Sequence, residues 1–161
     1  DLVVRGRAIP AYVEALQTLQ RSLAPRLRLV VEPPCPPDDL LGACRGCHVG
    51  LSGQAPTSTS RRLCLENKIF TYLLAGMPVV LSETDAHVRL AAELGDAAFV
   101  YPFGDVATLA DRIRRWGDSA EALAVARRAA WAAAVRRWHW EHEADRGTLL
   151  GAVARTLEGR S

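Results

Sequence analysis

The triplet Gly76-Met77-Pro78 separates two segments with different periodicities. Before it, Leu65, Ile69, Tyr72 and Leu73 recur at i, i+4, i+7 and i+8, the spacing of one helical face. After it, Val79, Val80 and Leu81 form a short unbroken apolar run, which suits a strand covered on both faces. Gly76 supplies a left-handed helix stop, and Pro78 cannot continue the helix. The loop in front, Gly53 to Arg62, is rich in hydroxyls and ends in two cations. A strand, such a loop and a helix N-terminus together make a place to hold a phosphate, because free amides and the helix dipole both favour an anion there.

Around this unit, strand and helix patterns alternate. Leu2 to Arg5 reads as a strand ending at Gly6. Pro10 sits where a first helical residue belongs, with Tyr12, Leu16, Leu19 and Leu23 along one face. Leu27 to Glu32 is a second strand, followed by the stiff connection Pro33-Pro34-Cys35-Pro36-Pro37. Asp38 to Cys44 reads as a short helix and His48 to Ser52 as the third strand. Thr84 or Asp85 caps a helix through Leu94, closed by Gly95. Ala97 to Tyr101 is a fifth strand. Gly104-Asp105 opens a helix with Val106, Leu109, Ala110 and Ile113 on one face, and two more helical patterns follow: Ser119 to Arg137, then Leu149, Leu150, Val153 and Leu157. The expectation is an α/β fold, a Rossmann-like doubly wound parallel sheet between helix layers with right-handed crossovers, built as a single domain over residues 1–161.

Composition narrows the function. At 161 residues, with 49% hydrophobic and 24% charged residues, the chain has ordinary globular usage and room for a core. A net charge of +2 gives no footing for nucleic-acid or membrane-surface binding. No apolar run reaches membrane-span length and no signal-peptide pattern opens the chain, so a cytoplasmic setting is expected. The opening on a strand without methionine suggests a fragment of a longer chain.

Glu66-Asn67-Lys68-Ile69-Phe70-Thr71-Tyr72-Leu73-Leu74-Ala75-Gly76-Met77-Pro78-Val79-Val80 resembles the signature of the C-terminal, donor-binding half of GT-B glycosyltransferases, in the form used by the "group 1", family-4-like enzymes. Leu2 to Gly6, Asp38 to Leu51 and Trp140-Glu141 resemble, in order, a strand-glycine segment, a helix leading into the sheet-centre strand, and the aromatic-acid pair opening the last helix of that domain. Only the central motif is specific. The resemblance implies binding of a UDP- or GDP-linked sugar, retaining sugar transfer without a required metal or other cofactor, and an acceptor-binding domain on the N-terminal side of the same chain. The fragment alone would then be inactive.

Carried over position by position, Asn67 and Lys68 would lie at a helix start near the diphosphate, with Glu66 beside them. Ser60, Arg61 and Arg62 would face the sugar or phosphates. Pro33, Pro34 and Cys35 would border the nucleobase, and Gly6 would allow close backbone approach to the donor. Departure of a nucleoside diphosphate puts negative charge on its oxygens, which amides, a helix N-terminus and cations can stabilise. No Asp-x-Asp is present to hold a divalent ion, and Glu83-Thr84-Asp85 reads as a helix cap. The family usually has a glutamate at Thr71 to hold the ribose hydroxyls; threonine makes one hydrogen bond but no bidentate, charge-assisted pair. Leu63 stands where many relatives have an acid. The alternative is therefore a degenerate, non-catalytic nucleotide-sugar-binding or assembly module.

Other signals have plainer readings. Cys44-Arg45-Gly46-Cys47-His48 matches the c-type haem attachment pattern, but His48 opens an apolar strand. Cys35, Cys44, Cys47 and Cys64 fit no standard zinc spacing. Pro78 to Trp116 resembles half of a response-regulator receiver, without its acidic pair or phosphoacceptor. Trp131, Val135 and Trp138 are spaced to pack one helix face. Arg127-Arg128 and Arg136-Arg137 read as solvated flanks, and His87 and His142 as helix-surface residues.

Overall fold

The computed structural model describes residues 1–139 and 142–158; of 143–146 only the backbone is described. The Trp140-Glu141 pair lies outside the described residues. The chain divides into two compact units, Asp1–Cys47 and His48–Ser161. It is an α/β protein; among the described residues every strand pairing is parallel, within one two-stranded and one three-stranded sheet.

In the first unit, β1 (Leu2–Arg5) and β2 (Leu29–Glu32) pair from Leu2 against Leu29 to Arg5 against Glu32. They flank α1 (Pro10–Leu23), which starts on proline as expected. Its covered side runs through Val13, Leu16 and Gln20. Tyr12, Leu19 and Leu23 are exposed instead, so the expected face is displaced around the helix. The reason is polar: Gln20 Nε2 donates to the carbonyl of Leu27 at 2.8 Å and turns its own face toward the incoming strand. A 3-10 turn (Pro37–Asp39) leads into α2 (Leu40–Ala43). No residue of this unit is fully buried.

The second unit holds the core. The strands β3 (Gly50–Ser52), β4 (Val79–Ser82) and β5 (Ala98–Tyr101) form a sheet in the order β3-β4-β5. The helices are α3 (Thr59–Leu63), α4 (Asn67–Leu74), α5 (Asp85–Leu94), α6 (Val106–Gly117), α7 (Ala120–Arg136) and α8 (Glu143–Glu158). All four residues of β4 are buried, and their side chains alternate: Val79 and Leu81 join one core cluster, Val80 the other. The first cluster adds Ile69 and Leu73 from α4, Leu90 and Leu94 from α5, and Ala130, Ala133 and Ala134 from α7. Ile69 and Leu73 have no exposed surface, which is worth about 2–3 kcal/mol for each side chain. Gly76, at φ +65°, closes α4 with the left-handed turn read from the sequence.

Two further helix faces, and one segment expected as loop, differ from expectation. On α6 the buried anchor is Trp116, stacked on Phe99 at 4.3 Å, whereas Val106 and Ile113 are exposed. On α7 the buried stripe is alanine, which lets that helix come close to α4 and to the 3-10 turn Gly95–Ala97; Trp131 and Val135 face outward. Trp138 does pack, stacking on Phe70 at 5.5 Å. The segment expected as loop between Gly53 and Arg62 contains α3, because Ser58 caps it by accepting from the Arg61 amide.

Candidate functional site

In the second unit, functional groups gather where the parallel strands end. Such crevices beyond the carboxyl ends of strands are where open α/β sheets bind ligands. Ser52 ends β3 and Ser82 ends β4; both side chains are fully buried. Ser82 Oγ donates to the Gln54 carbonyl at 2.8 Å, tying down the loop that leaves β3. That loop is tied again where Gln54 Nε2 donates to the Arg61 carbonyl. Helix α4 then begins at Asn67, with Glu66 in the extended N-cap position.

Glu66 does not cap its own helix. Its carboxylate accepts a hydrogen bond from Ser52 Oγ and pairs with Lys68 Nζ at 2.9 Å. Lys68 is thus in the first turn of α4, at the sheet's carboxyl edge, with its charge already met by Glu66. Asn67 is exposed beside it, and Thr71 is half-buried one turn on.

His87 completes this cluster and was not expected there. It is fully buried rather than on a helix surface. Its Nδ1 lies 2.7 Å from the Ser82 carbonyl, which can only accept, so Nδ1 carries the proton. Nε2 finds no hydrogen-bond partner among the described residues and stands 3.9 Å from Glu66 Oε2. The signal for burial was present: His87, Leu90 and Leu94 share the i, i+3, i+7 face of α5. His142 precedes α8 and is half-buried.

The remaining expected residues are dispersed. Ser60 Oγ lies 3.6 Å from Cys64 Sγ on α3. The Arg61 side chain is exposed, and Arg62 pairs with Asp85 at 2.9 Å. An open cleft of about 790 Å³ lies where β4 and β5 end, lined by Arg62, Glu83, Thr84, Asp85, Arg89 and Phe103 among others. Arg62 is the one expected residue that lines it. Of the two caps the sequence offered, Thr84 and Asp85, it is Thr84 that caps α5, by accepting from the His87 amide. Beside these loops, burial pushes the Tyr101 phenol above its ordinary range, keeping it a neutral hydroxyl.

In the first unit, Gly6 N–H donates to the Glu32 carbonyl at 3.1 Å, and Arg5 donates to the Pro33 carbonyl at 3.1 Å while pairing with Glu32. Gly6 and Pro33 are therefore neighbours at the carboxyl ends of β1 and β2. A side chain at Gly6 would meet no atom within 4 Å, so the space above it is open. Pro34 is exposed and Cys35 half-buried. No group of three or more His, Cys, Asp or Glu suited to a metal ion occurs among the described residues, and His48 is exposed ahead of β3 rather than inside it.

No protein-family model matches the chain, and no curated protein or solved structure matches it either. Among the described residues no helix is long and apolar enough to cross a membrane.

Proposed function

We propose that the chain is the nucleotide-sugar-binding half of a GT-B-type glycosyltransferase, its strands forming the doubly wound, three-layer sheet of that fold. One observation carries the reading: Lys68 and the free amides of α4 sit together at the carboxyl edge of a parallel sheet, immediately after the Ser52 strand end. A diphosphate placed there meets a cation and a helix N-terminus, which also stabilise charge on the oxygens of a departing nucleoside diphosphate. The fit to the signature from Glu66 to Val80 supplies the substrate class, a UDP- or GDP-linked sugar, and the retaining outcome. The acceptor half would stand on the N-terminal side.

Glu66 holds Lys68, so a diphosphate binds by taking the carboxylate's place on the ammonium. That same contact favours the second reading, a non-catalytic binding or assembly module. Leu63 is exposed and apolar where an acid would be needed, and Thr71 lacks the carboxylate that would grip a ribose.

Calorimetric titration with UDP, GDP and their sugars tests both. Binding of one nucleotide that is lost in Lys68→Ala supports the site. Recovery of ribonucleotide affinity in Thr71→Glu supports the degenerate reading. No heat with any of the four ligand classes removes the assignment.

A further inference from the structure

Three of the four cysteines belong to the first unit, and the proposed nucleotide chemistry uses their thiols for nothing. Cys44 closes α2, and the Cys47 amide donates to the Cys44 carbonyl at 3.1 Å across Arg45 and Gly46. Gly46, at φ +81°, occupies the third position of this four-residue turn, the place where a type II turn requires a positive φ. The first and last Cα atoms of such a turn lie less than about 7 Å apart, inside the span a disulfide bridges. The turn is hydrogen-bonded already, so closing a bond between its ends demands little backbone movement. Both cysteines are half-buried and neither is sealed from solvent.

We propose that Cys44 and Cys47 form a reversible dithiol–disulfide site, oxidised by thiol–disulfide exchange with a small-molecule disulfide. Cys47 and Cys35 both act electrostatically on Cys44, which places all three sulfurs in one neighbourhood. Burial, then the neighbouring Cys47, pushes the Cys44 thiol up, with Arg5 pulling the other way. A thiol held up in this way is a poor first nucleophile at neutral pH. The first step is therefore assigned to Cys47. Its thiolate attacks one sulfur of the disulfide reagent, forms a mixed disulfide and expels one thiolate. Cys44 then gives up its proton, attacks Cys47 Sγ and expels the second thiolate. Two protein thiols are oxidised by two electrons, one reagent disulfide is reduced to two thiols, and the two protons leave with them.

The chain itself supplies a clean readout. Trypsin cleaves after Arg28, Arg45 and Arg61, so Cys35 and Cys44 fall on one peptide and Cys47 on the next. After equilibration with oxidised glutathione under native conditions and blocking of free thiols, the peptides ending at Arg45 and Arg61 are expected to stay joined until reduced, and to stay joined in Cys35→Ser as well. Cys44→Ser is expected to accumulate glutathione on Cys47, and Cys47→Ser to accumulate far less on Cys44. A Cys47 that remains free for alkylation in the wild-type chain overturns the proposal, as does a joined pair that vanishes in Cys35→Ser. Fragmentation of the wild-type joined peptides locates the bond without any variant: a bond on Cys35 overturns the assignment and one on Cys44 supports it.

Discussion

His87 Nε2 and Glu66 Oε2 face each other at 3.9 Å, beyond hydrogen-bond reach. The histidine is fully buried and donates from Nδ1 to the Ser82 carbonyl, while Glu66 commits its oxygens to Ser52 and Lys68. The cluster thus links the ends of β3 and β4 to the first turns of α4 and α5. It sits where a ligand in the proposed site would act on it.

Removing the Glu66 charge is expected to strengthen diphosphate binding. In Glu66→Gln the Ser52 hydroxyl keeps an acceptor, but Lys68 no longer has a carboxylate partner and the site loses one negative charge. Pyrophosphate or nucleoside diphosphate should bind several-fold more tightly by calorimetry. Weaker binding in this variant would mean that Glu66 itself contacts the ligand.

His87→Ala is expected to lower stability by about 2–4 kcal/mol. It leaves the Ser82 carbonyl without its donor and opens a cavity beside the core. The midpoint of urea unfolding should fall at unchanged slope. A change within about 0.5 kcal/mol would show that the ring is less tightly held than its burial implies.

Gly50 opens β3 against the Tyr72 ring of α4, where an added Cβ would overlap the ring carbons near its attachment point. That end of a ring has no freedom to swing aside, so Gly50→Ala should cost about 1–3 kcal/mol through overpacking. Combining it with Tyr72→Ala should cost less than the two single changes added together. Strict additivity in the denaturation midpoints would mean that the two sites do not touch.

Asp105 caps α6, accepting from the Thr108 amide at 2.9 Å and the Thr108 hydroxyl at 2.7 Å. These bonds, the amide's first, hold its carboxyl below the ordinary value of 3.8. Because the folded value is the lower one, the contribution is present above the unfolded value and is lost as pH falls through the folded one. Asp105→Asn should therefore flatten the acid limb of stability against pH, followed by thermal unfolding monitored by circular dichroism. An acid limb identical to that of the parent chain would contradict this assignment.

Much of the local structure was legible before any coordinates. Gly76 and Pro78 set the end of α4, Pro10 the start of α1, and the Thr84-Asp85 pair the start of α5, because each acts through its own backbone or its immediate neighbours. The buried strand Val79–Ser82 followed from an unbroken apolar run. Helix faces were less legible where two stripes competed. On α7 the sequence offers both Trp131 with Val135 and a run of alanines; bulk points to the first, but close approach to α4 and the Gly95–Ala97 turn selects the second. The site is divided in the same way. The residue types at the start of α4 and their order came from the sequence alone, since a helix N-terminus is a local object. That Glu66 reaches back to Ser52, that it occupies Lys68, and that His87 is buried with an unpartnered nitrogen facing it were decided only by tertiary packing, which brings together the end of β3, the start of α4 and the β4–α5 junction.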